Sequence, residues 1–148
     1  MALRDRLQDD MKSALRAKDK ERLAAIRLIL AGIQQREVDE RITLDDSQII
    51  GVLERMLKQR RESITQFQSA GREDLVARES FESEIIRGYM PAALTDLELD
   101  ALIASALEAT GATTARDMGR VMSVIKDQAQ GRADMGKVSA RVKRRLSS

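Results

Sequence analysis

Apolar side chains recur every three or four residues along almost the whole chain, with no stretch of strand-like alternation. That period lines one face of a helix, whereas a half-buried strand needs a period of two. An all-α fold is therefore expected. Leu3, Leu7, Met11, Ala14 and Leu15 form one stripe. Leu23, Ile26, Ile29, Leu30 and Ile33 form a second, which fades across residues 36–41. Asp45 or Asp46 is placed to cap a third helix carrying Ile49, Ile50, Leu53, Met56, Leu57, Ile64 and Phe67. Gly71 stops it, and a fourth follows with Leu75, Val76, Ile85, Ile86 and Tyr89.

Pro91 is the one proline. It lacks a backbone donor and disfavours helix at the residue before it. The joint of the chain is expected at about residues 88–94, separating residues 1–90, a helical bundle or hairpin, from residues 91–148. In the second part Thr95 and Glu98 are spaced as a capping box. The helix that box opens carries Leu99, Leu102, Ile103, Ala106 and Leu107, with Gly111 as a left-handed C-terminal cap. A second short helix starts at Thr114 or Asp117 and carries Met118, Val121, Met122 and Ile125. Gly131 breaks it, and Asp134 starts a third with Met135, Val138, Val142 and Leu146. Three short helices in so few residues sit near the lower size for independent folding.

Composition narrows the function classes. There is no Cys and no His, which removes disulfide frameworks, Cys/His zinc sites, cysteine nucleophiles and histidine bases. No apolar run approaches the length that spans a bilayer, and Met1-Ala-Leu-Arg-Asp5 has no apolar signal core, so the cytosol is the expected location. No Walker-type glycine loop, Ser-x-x-Lys or Gly-x-Ser-x-Gly pattern occurs. Ser123 and Lys126 share a helix face without a further base. Glu79 and Glu82 share one too, and salt bridging to Arg78 or to the basic run of the third helix accounts for them. No catalytic residue, metal site or cofactor is expected.

Charge is unevenly spread. Residues 1–115 hold 17 basic and 21 acidic side chains, whereas residues 116–148 hold 9 and 3. A basic C-terminal segment suggests a polyanionic partner. Phe67, Phe81 and Tyr89, the only aromatics, all lie upstream, so backbone and shape contacts are expected and base stacking is not. On the last helix Lys137, Arg141, Arg144 and Arg145 recur at spacings that share a face, with Arg132 before it and Arg120 at the start of the previous helix. Guanidinium forks match phosphate oxygens. A second basic feature is Lys58-Gln-Arg-Arg61, with Arg27 expected to pair across helices with Glu62 or Glu82.

Asp117-Met-Gly-Arg-Val121 recurs as Asp134-Met-Gly-Lys-Val138. In both, a capping Asp precedes an apolar anchor, a glycine and a cation. Glycine costs helix stability, so Gly119 and Gly136 suggest close approach by another helix, or by a phosphate at a helix N-terminus.

These residues resemble the GatB/YqeY family over nearly the full chain, in the layout of its stand-alone YqeY-like proteins. The resemblance runs through Lys18-Asp-Lys-Glu-Arg-Leu23, Ile26-Arg-Leu28, Lys58-Gln-Arg-Arg-Glu-Ser63, Ala70-Gly-Arg-Glu-Asp-Leu-Val76 and Tyr89-Met-Pro91. It continues through Asp117, Met118 and Gly119, then Gly131, Asp134 and Gly136, although the family commonly has glycine directly after that last aspartate and Met135 intervenes here. It implies a two-part helical fold whose C-terminal three-helix unit is similar to the tail of the B subunit of the glutamine-dependent aspartyl/glutamyl-tRNA amidotransferase. A tRNA-binding accessory role follows from that kinship, beside an aminoacyl-tRNA synthetase or amidotransferase subunit. Any label of carbon–nitrogen ligase with glutamine as amido donor comes from the kinship alone. The alternative is a protein–protein adaptor that docks a tRNA-charging enzyme through apolar, Met-lined grooves.

Overall fold

The computed structural model describes residues 2–147. Among them are seven α-helices, one 3-10 turn and no strand. The chain divides into two compact units, Met1–Met90 and Pro91–Ser148.

The first unit holds α1 (Leu3–Arg16), α2 (Lys20–Glu40), α3 (Asp46–Ser69) and α4 (Glu73–Arg87). α1 packs on α2 and α3 on α4, and α2 also lies against α3 and α4. Its core is Leu7, Ile26, Ile29, Ile33, Ile49, Leu53 and Ile86, all fully enclosed. Each such side chain contributes about 1.5–3 kcal/mol relative to an exposed position. Asp45 is the cap of α3, in a full box with Gln48: its carboxylate accepts from the Gln48 N–H at 2.8 Å. Leu15, placed on the first stripe by its spacing, is 57% exposed. It lies in the last turn of α1, where Ala14 takes the inward position.

Polar ties then close this unit. The Tyr89 hydroxyl donates to Asp10 at 2.5 Å, and the Arg6 guanidinium lies 4.9 Å over the Tyr89 ring while donating to the Gly88 carbonyl. Burial, then the bond to Asp10, pushes the Tyr89 phenol up to about 12. Glu37 pairs with Arg4 and accepts from the Leu44 N–H, which together hold its carboxyl below the usual range. Arg60, with a side chain 12% exposed, reaches from α3 to Glu82 at 3.1 Å and Glu79 at 4.0 Å on α4. Arg78 adds a contact of 3.6 Å to Glu82. Glu79 and Glu82 are thus ion-paired as their spacing implied. Arg27, by contrast, is exposed, and Glu82, one of its two expected partners, meets Arg60 and Arg78 instead.

The second unit holds α5 (Asp96–Thr110), a 3-10 turn (Ala115–Asp117), α6 (Met118–Ala129) and α7 (Met135–Ser147). Thr95 and Glu98 form the expected capping box, and Gly111 ends α5 at a φ of 64°. That positive φ is a conformation side chains with a Cβ seldom adopt. Leu99, Ile103, Ala106, Val121, Ile125, Ala129, Val138, Val142 and Leu146 make the core. α6 packs against both α5 and α7. Arg132 pins the chain before α5 to the α6–α7 turn: its Nε donates to the Ala92 carbonyl at 2.8 Å, and its own carbonyl accepts from the Leu94 N–H.

Candidate nucleic-acid interface

The α7 sequence Met-Gly-Lys-Val-Ser-Ala-Arg-Val-Lys-Arg-Arg-Leu-Ser has five cations and no acid. Its apolar residues Val138, Val142 and Leu146 recur every four residues and are buried. Helical geometry therefore turns Lys137, Arg141 and Arg144 to the opposite side, with Arg145 at its edge. Lys137, Arg144 and Arg145 are exposed. Lys137 and Arg144 stand seven residues apart, about 10 Å along the axis at 1.5 Å per residue. Lys143 is also exposed, on the flank. Its spacing from Lys137 takes it off the main face, so the periodicity of the other cations does not single it out.

Arg141 sits in the middle of the row, and its surroundings differ. Its guanidinium donates to Asp96 at 2.7 Å and to Asp100 at 3.0 Å, both on α5. Those hydrogen bonds, Asp96 first, raise the guanidinium further above its ordinary range. Asp96, Asp100, Ile103, Arg141, Arg144 and Arg145 line a shallow open groove between α5 and α7. The remaining cations expected at this surface have internal partners too. Arg120 pairs with Asp117 at 2.5 Å, and Arg132 is held by the Ala92 carbonyl. Lys137, Arg144 and Arg145 form the exposed row on α7.

The two Asp-Met-Gly turns are built differently. Asp134 caps α7, its Oδ1 accepting from the Gly136 N–H at 2.8 Å and the Lys137 N–H at 3.4 Å. Asp117 turns backward: it accepts from the N–H groups of Thr113 and Thr114 at 3.0 and 3.2 Å and makes no cap bond to α6. These bonds and the Arg120 guanidinium lower its carboxyl to about 2. The expected close helix crossing at the glycines is not found. A Cβ at Gly119 would meet nothing within 4 Å. At Gly136 it would come within 3.2 Å of the Asp134 Oδ1, so glycine there makes room for the capping carboxylate. Met118 packs against the core, and Gly131 turns the chain after α6 at a φ of 76°. Among the described residues no group of three or more carboxylates is placed to hold a metal ion.

Comparison with known proteins adds the following. A family described as "Yqey-like protein" matches residues 4–146. Three relatives are each named "Altered inheritance of mitochondria protein 41, mitochondrial". That of Pyrenophora tritici-repentis is 38% identical over 129 residues, which is 84% of this chain and 71% of the relative. That of Eremothecium gossypii is 40% identical over 87 residues, 58% of this chain and 48% of the relative. That of Lachancea thermotolerans is 37% identical over 105 residues, 68% and 56%. The chain thus spans about half the length of the last two. These names correct the cytosolic expectation, since they belong to mitochondrial proteins. That expectation rested on the lack of a signal core and of a membrane-length apolar run, and neither feature separates the cytosol from an organelle interior.

Proposed function

The chain belongs to the YqeY-like family, and from that premise we propose that it is a tRNA-binding accessory protein whose contact surface is the outer face of α7. The observation that carries this reading is a helix with five cations, no acid, and Lys137, Arg144 and Arg145 exposed along it. Guanidinium and ammonium groups at this spacing suit the phosphates of a structured RNA, and no aromatic side chain in the second unit offers a stacking platform. The contact would read backbone and shape. Carbon–nitrogen ligase chemistry of the amidotransferase type, where it takes part in it, would belong to a partner enzyme to which this protein helps deliver RNA. The chain holds no cysteine to release ammonia from glutamine.

The test is the salt dependence of binding to bulk tRNA. Engaging about three phosphates gives a slope of log affinity against log salt near −2 to −3. Changing Lys137, Arg144 and Arg145 together to Glu should abolish binding while leaving helicity intact. A slope near zero, or unchanged binding by that variant, removes the reading.

A second reading has its own observation. Leu97 is 81% exposed on α5 and Val124 is 37% exposed on α6. A groove lined by Leu94, Leu102, Ala109 and Val124 lies between these helices. It favours an adaptor that docks a tRNA-charging enzyme. Under it, Leu97→Glu loses the enzyme and leaves tRNA binding unchanged.

A further inference from the structure

Arg141 is the central cation of the α7 row, and it is the one that two carboxylates already hold. Asp96 and Asp100 lie one helical turn apart on α5, so they share a face and grip both terminal nitrogens of one guanidinium. Asp96 is 88% exposed and Asp100 59%, so neither is there to fill a core. Exposed ion pairs of this kind add little to folding and are open to exchange with other anions. A phosphate oxygen binds a guanidinium with the same fork geometry that a carboxylate uses. The two aspartates therefore occupy the positions that a phosphate would take at Arg141.

We propose that Asp96 and Asp100 are internal competitors for the anion at Arg141, selecting a phosphate chain over isolated phosphates. This rests on the tRNA reading of α7 and names how that surface discriminates. A single phosphate in solution competes poorly, because the carboxylates are tethered beside Arg141 at a high effective concentration. A chain anchored on Lys137 and Arg144, on either side of Arg141, holds its next phosphate at a comparable effective concentration and exchanges with them, so that Arg141 is shared between strand and carboxylates. The aspartates also repel a polyanion approaching from α5, which confines the strand to the α7 side of the groove.

The test uses the full chain in four forms: wild type, D96N/D100N, R141M, and the triple variant. Bulk tRNA and inorganic phosphate are the probes, with far-UV helicity confirming the fold of each. D96N/D100N should bind tRNA about 3–10-fold more tightly at 150 mM salt, with a slope steeper by about one. It should also acquire weak inhibition by phosphate that wild type lacks. R141M alone should weaken tRNA binding by about 2–4-fold, because the strand loses the phosphate partner for which it competes, and in the triple variant it should remove most of the gain. Two results overturn the proposal: no gain in D96N/D100N, or a gain that survives R141M, which reports only the loss of two negative charges. Failure of wild type itself to bind tRNA overturns the functional reading and this one with it. Wild-type binding without coupling between Arg141 and the aspartates overturns this one alone.

Discussion

Two guanidinium groups in this molecule bridge two helices through a pair of carboxylates, and they do opposite things. Arg60 joins α3 to Glu79 and Glu82 of α4, with its side chain 12% exposed and Glu82 equally so. Arg141 joins α7 to Asp96 and Asp100 of α5, where both acids face solvent. The chemistry is the same, and burial separates them. Out of water, losing one partner strands the others without hydration, so the Arg60 cluster is a structural tie. In water each partner is rehydrated when the pair opens, so the Arg141 cluster stays exchangeable. A charge pair read from sequence spacing does not reveal which of these it is.

The largest effect that would sharpen this contrast is expected at Arg60. Arg60→Ala leaves Glu79 and Glu82 facing each other on one turn of α4, with only the largely exposed Arg78 for company. A loss of about 2–3 kcal/mol is expected, below the full value for a deeply buried pair because some solvent reaches the cluster. Urea unfolding of the full chain measures it. A midpoint within error of wild type would mean that the α3–α4 cluster is no different from the α5–α7 one.

Much of this could be read from the sequence, for reasons that are local. The Thr95 and Asp45 caps, the glycine at the end of α5 and the inward stripes all follow from bonds or periodicities within a few residues of each other. The Glu79 and Glu82 pairing with the third helix was legible because two carboxylates on one face opposite a basic run have few other partners. What periodicity cannot supply is which neighbour a face meets. Tyr89 and Asp10 are 79 residues apart, and nothing near either announces the bond. Asp96, in the first turn of α5, and Asp100, one turn on, meet Arg141 more than forty residues later, and nothing near them in sequence marks that pairing. The near-identical Asp-Met-Gly turns mislead in another way. Whether an aspartate caps forward or bonds backward depends on the residues before it, and only Asp117 closes a 3-10 turn, which brings the Thr113 and Thr114 amides ahead of that turn within its reach.

That aspartate provides an intermediate case between the two clusters, a charge held chiefly by backbone amides. Its folded-state value of about 2 lies below the ordinary 3.8. A depressed carboxyl contributes stability that is present above the unfolded value and is lost as pH falls through the folded one. The contribution of Asp117 should therefore be whole above about pH 4 and fade toward pH 2. Glu98, lowered by its bonds to Thr95, adds to the same acid limb, so the share of Asp117 needs isolating. Asp117→Asn should be less stable than wild type at pH 6, and the gap should close as pH approaches 2. A gap that stays constant with pH would show that the turn depends on side-chain shape and not on charge.

The smallest effect on folding is expected where the proposed function is concentrated. Arg141→Met removes the α7 half of the exposed cluster but keeps a long apolar stem along the groove beside Ile103. Asp96 and Asp100 regain water when their partner leaves, and Asp96, in the first turn of α5, keeps a favourable place at the positive end of that helix. The urea midpoint should therefore coincide with wild type, in contrast with Arg60→Ala. A large destabilisation here would recast Arg141 as a tie between α5 and α7. The carboxylates would then be structural partners rather than competitors, and burial would no longer be what distinguishes the two clusters.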